Sequence, residues 1–158
     1  MLFRSMKSNA SPIYRKYRPA TVRKLFIVAN ATLWGWFALK FFLTPDRHLL
    51  QVAVGALALI GIVAAFAVFR SDLSFIAHAP EGQIDEFLLS QRNRAYLHTM
   101  RYVSGLLALS IICGAFGFPQ HADVTAGVLR NFIFVLFVTT LISPAGFLAL
   151  ATEDLPEE

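Results

Sequence analysis

Charge is what this sequence has least of. Only 15% of its 158 residues are Asp, Glu, Lys or Arg, where a soluble domain carries about a quarter. The scarcity is uneven: no Asp or Glu falls in 25–43, 49–69, 102–118 or 128–151. A proton- or ion-coupled transporter needs an ionisable group inside the membrane, so this absence argues against an autonomous transporter. Cysteine is nearly missing too. The lone Cys113 excludes an intrachain disulfide or a Cys-based metal site, and within an apolar stretch it reads as a small packing residue. Motifs of catalysis are lacking: no GxSxG, no HExxH and no phosphate-cradling glycine loop occurs. Ser71, Asp72 and His78 are close in sequence, but a triad is defined by geometry.

What is present is apolar, at 56% of residues. The charges gather into short blocks, and the runs between them match the roughly 20 residues that cross a bilayer as a helix. The expected fold is all-α, a polytopic transmembrane four-helix bundle with spans at about 25–43, 49–69, 102–118 and 128–151. Lys40 lies near the end of the first span, where it can snorkel to the interface. Pro144 and Gly146 predict a kink near the end of the fourth. Gly61 and Ala65 give the second span a small-xxx-small packing face, and Gly105 and Gly114 supply small residues to the third.

Residues 1–24 form a basic tail expected to hold anionic lipid headgroups, with Pro12 and Pro19 breaking any long helix. The first apolar run begins only at Leu25 and no small-residue cleavage site follows, unlike a cleavable leader. Residues 152–158 form a short acidic tail. Between the second and third spans, 83–101 reads as an amphipathic helix on the cytosolic membrane face. Ile84, Leu88, Ala95 and Tyr102 lie on its stripe, which the polar Gln91 interrupts once; acids come early and bases late. Asp85, Glu86, Arg92, Arg94 and Arg101 make its candidate partner or lipid surface.

Orientation follows from the basic residues. Seven precede the first span (Arg4, Lys7, Arg15, Lys16, Arg18, Arg23, Lys24) and four lie in the central connection (Arg70, Arg92, Arg94, Arg101). Three lie on the other side (Lys40, Arg47, Arg130). The positive-inside rule puts both termini in the cytoplasm of a multi-pass plasma (inner) membrane protein. The net charge of +4 is thus a topology signal. With no aromatic-and-basic module beside it, no nucleic-acid partner is expected.

The phrase Asp85-Glu86, then Arg92 and Arg94-Ala95-Tyr96 leading into a span, resembles the "DER…R.RAY" phrase of small prokaryotic four-span proteins of unknown function. Phe87 stands where that phrase often has arginine. The resemblance implies a small bacterial membrane protein and brings no activity with it.

The preferred expectation is a non-catalytic accessory or assembly subunit of a larger plasma-membrane complex, with protein partners, no enzyme activity and no cofactor or metal. A small oligomeric transporter or channel, with Asn30 and Ser110 lining a path, is the second reading. A haem- or metal-binding protein using the outer-side His48 and His121 is the third, since imidazole ligates both.

Overall fold

The computed structural model describes residues 17–42, 48–116 and 126–152. Five α-helices account for most of them: α1 (Pro19–Phe42), α2 (His48–Phe69), α3 (Asp72–His78), α4 (Glu86–Phe116) and α5 (Ala126–Ala151). A 3₁₀ turn, Glu81–Gln83, precedes α4, and no strand occurs among the described residues.

α1 begins six residues before the expected span. Pro19 does not break it but opens it, because the first turn has no use for the missing N–H and the ring presets φ. The single Arg18 carbonyl accepts from the amides of both Thr21 (2.9 Å) and Val22 (3.2 Å). Arg23 and Lys24, expected in a separate tail, therefore ride on α1.

The turn between α2 and α3 is built on Ser71. Its backbone is extended (φ −75°, ψ 153°), its Oγ accepts from the Ser74 amide, and it donates to the Val68 carbonyl at 2.6 Å. One hydroxyl thus closes one helix and caps the next. The sequence reading did not foresee α3.

Residues 83–101 were expected to form an amphipathic helix running directly into the third span, and α4 begins at Glu86. Residues 86–116 form one helix of 31 residues, about 46 Å long at 1.5 Å per residue. The physical reason is that no proline or glycine interrupts Glu86–Ser104, so nothing ends the helix where the apolar run begins. At about 30 Å of hydrocarbon, such a helix is too long to be a span alone.

α5 is the hub and packs against each of the other four helices. The main buried cluster lies at one end of the bundle, where the basic residues are, and is called the basic end below. It joins Val22, Phe26 and Ala29 of α1, Ala64, Ala65 and Val68 of α2, Leu73 and Ile76 of α3, Ala95 of α4, and Ile142, Ala145, Leu148 and Ala149 of α5. Pro144 lies inside α5, with Ser143 Oγ donating to the Thr139 carbonyl at 2.6 Å.

Among the described residues, two helical segments are long and apolar enough to cross a membrane: Leu50–Phe69 and Gly127–Ala151. Only 28% of the first is buried, whereas an apolar helix in a soluble core would be hidden. The architecture is therefore all-α with two candidate spans. α1, which carries three cations, and the described apolar part of α4, Tyr102–Phe116, do not reach the same mark.

Candidate functional site: the polar layer at the basic end

The polar side chains that do structural work converge where α3 and α4 meet. Arg92 and Tyr96 are one turn apart on α4, so they share a face, and both reach the C-terminal end of α3. Arg92 Nη1 donates to the Ala79 carbonyl at 2.6 Å, and Tyr96 Oη donates to the Ala77 carbonyl at 3.1 Å. Carbonyls at a helix end lack intrahelical donors and carry partial negative charge, so a guanidinium there is well matched. The second Arg92 partner is Glu81 Oε1, at 3.3 Å from Nη2. Glu81 is 77% exposed against 9% for Arg92, so water screens that pair and it adds little. The carbonyl bond is the stronger tie.

This overturns one assignment. Arg92 was expected on the partner-facing surface, but it is buried and engaged within the chain. Its place on the α3 side follows from helix geometry, since Arg92, Ala95 and Thr99 share the buried face. Asp85, Glu86, Arg94 and Arg101 are exposed. Asp85 sits just before α4, where its carbonyl accepts from the Leu89 amide at 2.9 Å.

A second tie lies one layer further along. Tyr102 Oη donates to Asn30 Oδ1 at 3.1 Å, joining α4 to α1, and Asn30 Nδ2 donates to the Phe26 carbonyl at 2.9 Å. Tyr102, Phe26 and His98 all lie against Phe147, with ring centroids 5.7–5.9 Å apart. Beyond it, Trp34 and Phe37 meet Phe132.

The packing glycines divide. Gly61 is buried, and a Cβ there would lie 2.7 Å from both Leu33 Cγ and Thr32 Oγ1; Ala65 is buried beside it in the same helix. Gly105 has open space at its Cβ position, so it is not a close-packing site within the chain. The surroundings of Gly114 lie outside the described residues, as do the side chain of His48 and all of His121. Sequence reasoning missed Gly146, read only as part of a kink: a Cβ there would run into the Phe26 ring. The residues four before and after it, Ile142 and Leu150, are both large, so no small-xxx-small spacing signalled it.

No group of three or more His, Cys, Asp or Glu able to hold a metal occurs among the described residues. One broad open groove on α4 is lined by Glu86, Leu89, Ser90, Asn93, Arg94 and Leu97. All six come from a single helix, so it is a helix surface and not an enclosed cleft. No known protein family, characterised protein or solved structure matches the chain.

Proposed function

We propose that this chain is a four-span plasma-membrane protein acting as a non-catalytic accessory or assembly subunit of a larger complex. In this reading α1 and the apolar part of α4 cross the membrane beside α2 and α5, and the basic end lies in the cytoplasm. The observation that carries it is how polar side chains are used. Arg92 and Tyr96 bind α3, Tyr102 binds Asn30, and Ser71 joins two helix ends. Enzymes and carriers aim such groups at a shared space; here they are aimed at neighbouring helices. α2 meanwhile turns Val52, Leu59, Val63 and Phe66 outwards, an apolar surface suited to lipid or to another membrane subunit. The four-span phrase around Asp85–Tyr96 agrees with the layout.

Two experiments test it. Reporter fusions after Arg70 and at Glu158 read cytoplasmic, and fusions at Asp46 and Asp123 read outside. A Glu158 fusion reporting outside means an odd number of spans and ends the bundle. Native purification in mild detergent then recovers a stoichiometric second polypeptide. A lone homo-oligomer that conducts solute in liposomes overturns the subunit reading.

A further inference from the structure

We propose that the cleft between α1 and α4 binds one anionic phospholipid of the cytosolic leaflet. Its phosphate sits at the basic end and one acyl chain lies along α5. The inference rests on the four-span reading for the depth of the cleft and is independent of the accessory role.

The cleft follows from how the helices meet. α1 and α4 each pack along α5 but barely touch one another. What joins them is a bridge of side chains, Tyr102 Oη donating to Asn30 Oδ1 at 3.1 Å. Phe147 of α5 backs that bridge, in ring contact with Phe26 of α1 and with His98 and Tyr102 of α4. Further from the basic end α1 stays on α5, where Trp34 and Phe37 meet Phe132. The α4 wall is low there. Gly105, one turn past Tyr102, has open space at its Cβ position. Leu109 and Ile112, four and seven residues beyond it on the same flank, are exposed.

The two walls carry charge of one sign. Neither α1 nor 87–116 contains an Asp or Glu. Arg94 and Arg101 stand about half a turn of helix from Arg92, so they face away from α3, and both are exposed. His98 lies between them and meets Phe147 beside Phe26, which puts the pair at the mouth of the cleft.

The occupant follows from charge and depth. From Arg101 to Ile112 the helix rises about 16 Å, close to half of the roughly 30 Å hydrocarbon core. Cations at one end and an open apolar channel one leaflet deep match a phospholipid of that leaflet. Basic pockets between spans on the cytoplasmic side bind anionic headgroups in this way. A partner helix, about 10 Å across, is held off by the Tyr102–Asn30 bridge, whereas a single acyl chain passes over it.

Trp34 lies one turn beyond Asn30 on the same flank of α1, is partly exposed, and reports on the cleft from within. In a Trp36→Phe background it is the sole tryptophan. That protein is placed in vesicles of phosphatidylcholine with a minor share of phosphatidylglycerol. Bromine is carried on the acyl chains of the phosphatidylglycerol, or on an equal number of phosphatidylcholine molecules. The expected result is at least threefold stronger quenching of Trp34 by the brominated phosphatidylglycerol. Arg94→Gln with Arg101→Gln should remove that preference while the melting temperature holds. Lys24→Gln, an exposed cation on another flank of α1, should leave it unchanged. Equal quenching by the two lipids, or an equal loss of preference with Lys24→Gln, would overturn the proposal and leave the four-span reading standing. No quenching by either lipid would overturn both.

Discussion

The approach of α1 to α5 at Gly146 makes a quantitative prediction. Replacing Gly146 with alanine adds one methyl, and that methyl falls on the ring of Phe26. The ring cannot swing away freely: Phe26 is 7% exposed and stands edge-on to Phe147 at 5.7 Å. Overpacking of this kind costs about 1–3 kcal/mol. A helical glycine-to-alanine change also gains about 1 kcal/mol in propensity, so the raw effect of Gly146→Ala is smaller. Gly105→Ala supplies the correction, since it has the same helical gain and open space at its Cβ. The difference between the two variants isolates the clash. At about 2–4 °C per kcal/mol for a chain of this size, Gly146→Ala should melt roughly 2–12 °C below Gly105→Ala. The assay is thermal unfolding in one mild detergent, with Phe26→Ala added to each variant to complete a double-mutant cycle. Removing the ring should abolish most of the difference. Equal melting of the two glycine variants, or a difference that survives Phe26→Ala, would refute the close-approach argument.

Three further outcomes are expected. Gly61→Leu pushes α1 from α2 at Leu33 and Thr32 and should cost about 3 kcal/mol; unchanged melting would mean that the face meets nothing bulky. Arg92→Ala leaves the Ala79 carbonyl without its donor and should destabilise by about 2 kcal/mol, whereas Arg94→Ala should stay within about 0.5 kcal/mol; equal effects in thermal melts would return Arg92 to the surface. Tyr102→Phe removes the one hydroxyl that joins α4 to Asn30 and should cost about 1 kcal/mol, a shift that disappears when Asn30→Ala is already present.

The helices of this protein were largely legible because a run of uncharged residues has one cheap solution in hydrocarbon, the helix. α2 and α5 come within three residues of their expected bounds for that reason. Where local chemistry competes, the reading faltered. Pro19 signals either a break or a start, and only the two amides on the Arg18 carbonyl decide between them. α3 is seven residues long, too short to display a periodic pattern, and its existence rests on one serine hydroxyl. The pattern over 83–101 carried no sign of the short α3 against which Arg92 and Tyr96 of α4 lean. Arg92 shows the limit most clearly. Its charge suggested water, while its position, three before Ala95 and seven before Thr99, placed it on the buried face. Gly61 was legible because its helical partner Ala65 is also small; Gly146 was not, because the space it leaves is filled by a residue 120 positions earlier in the chain.

The hub position of α5 has a consequence for the order of synthesis. The helix that touches all the others emerges after them. Until it arrives, α1 and α2 can pair through Gly61, but α4 has only short α3, held by Arg92 and Tyr96, and the Tyr102–Asn30 bond to α1 to lean on. On the proposed four-span reading, a ribosome that has made residues up to Phe116 would have inserted a hairpin and one poorly anchored helix. Quality control therefore has a clear interval in which to act, and a chain stalled before Ala126 should be turned over far faster than one that has passed Ala151. The clasp between α3 and α4 is, in that interval, the main tie holding α4 in place while its true neighbour is still being made.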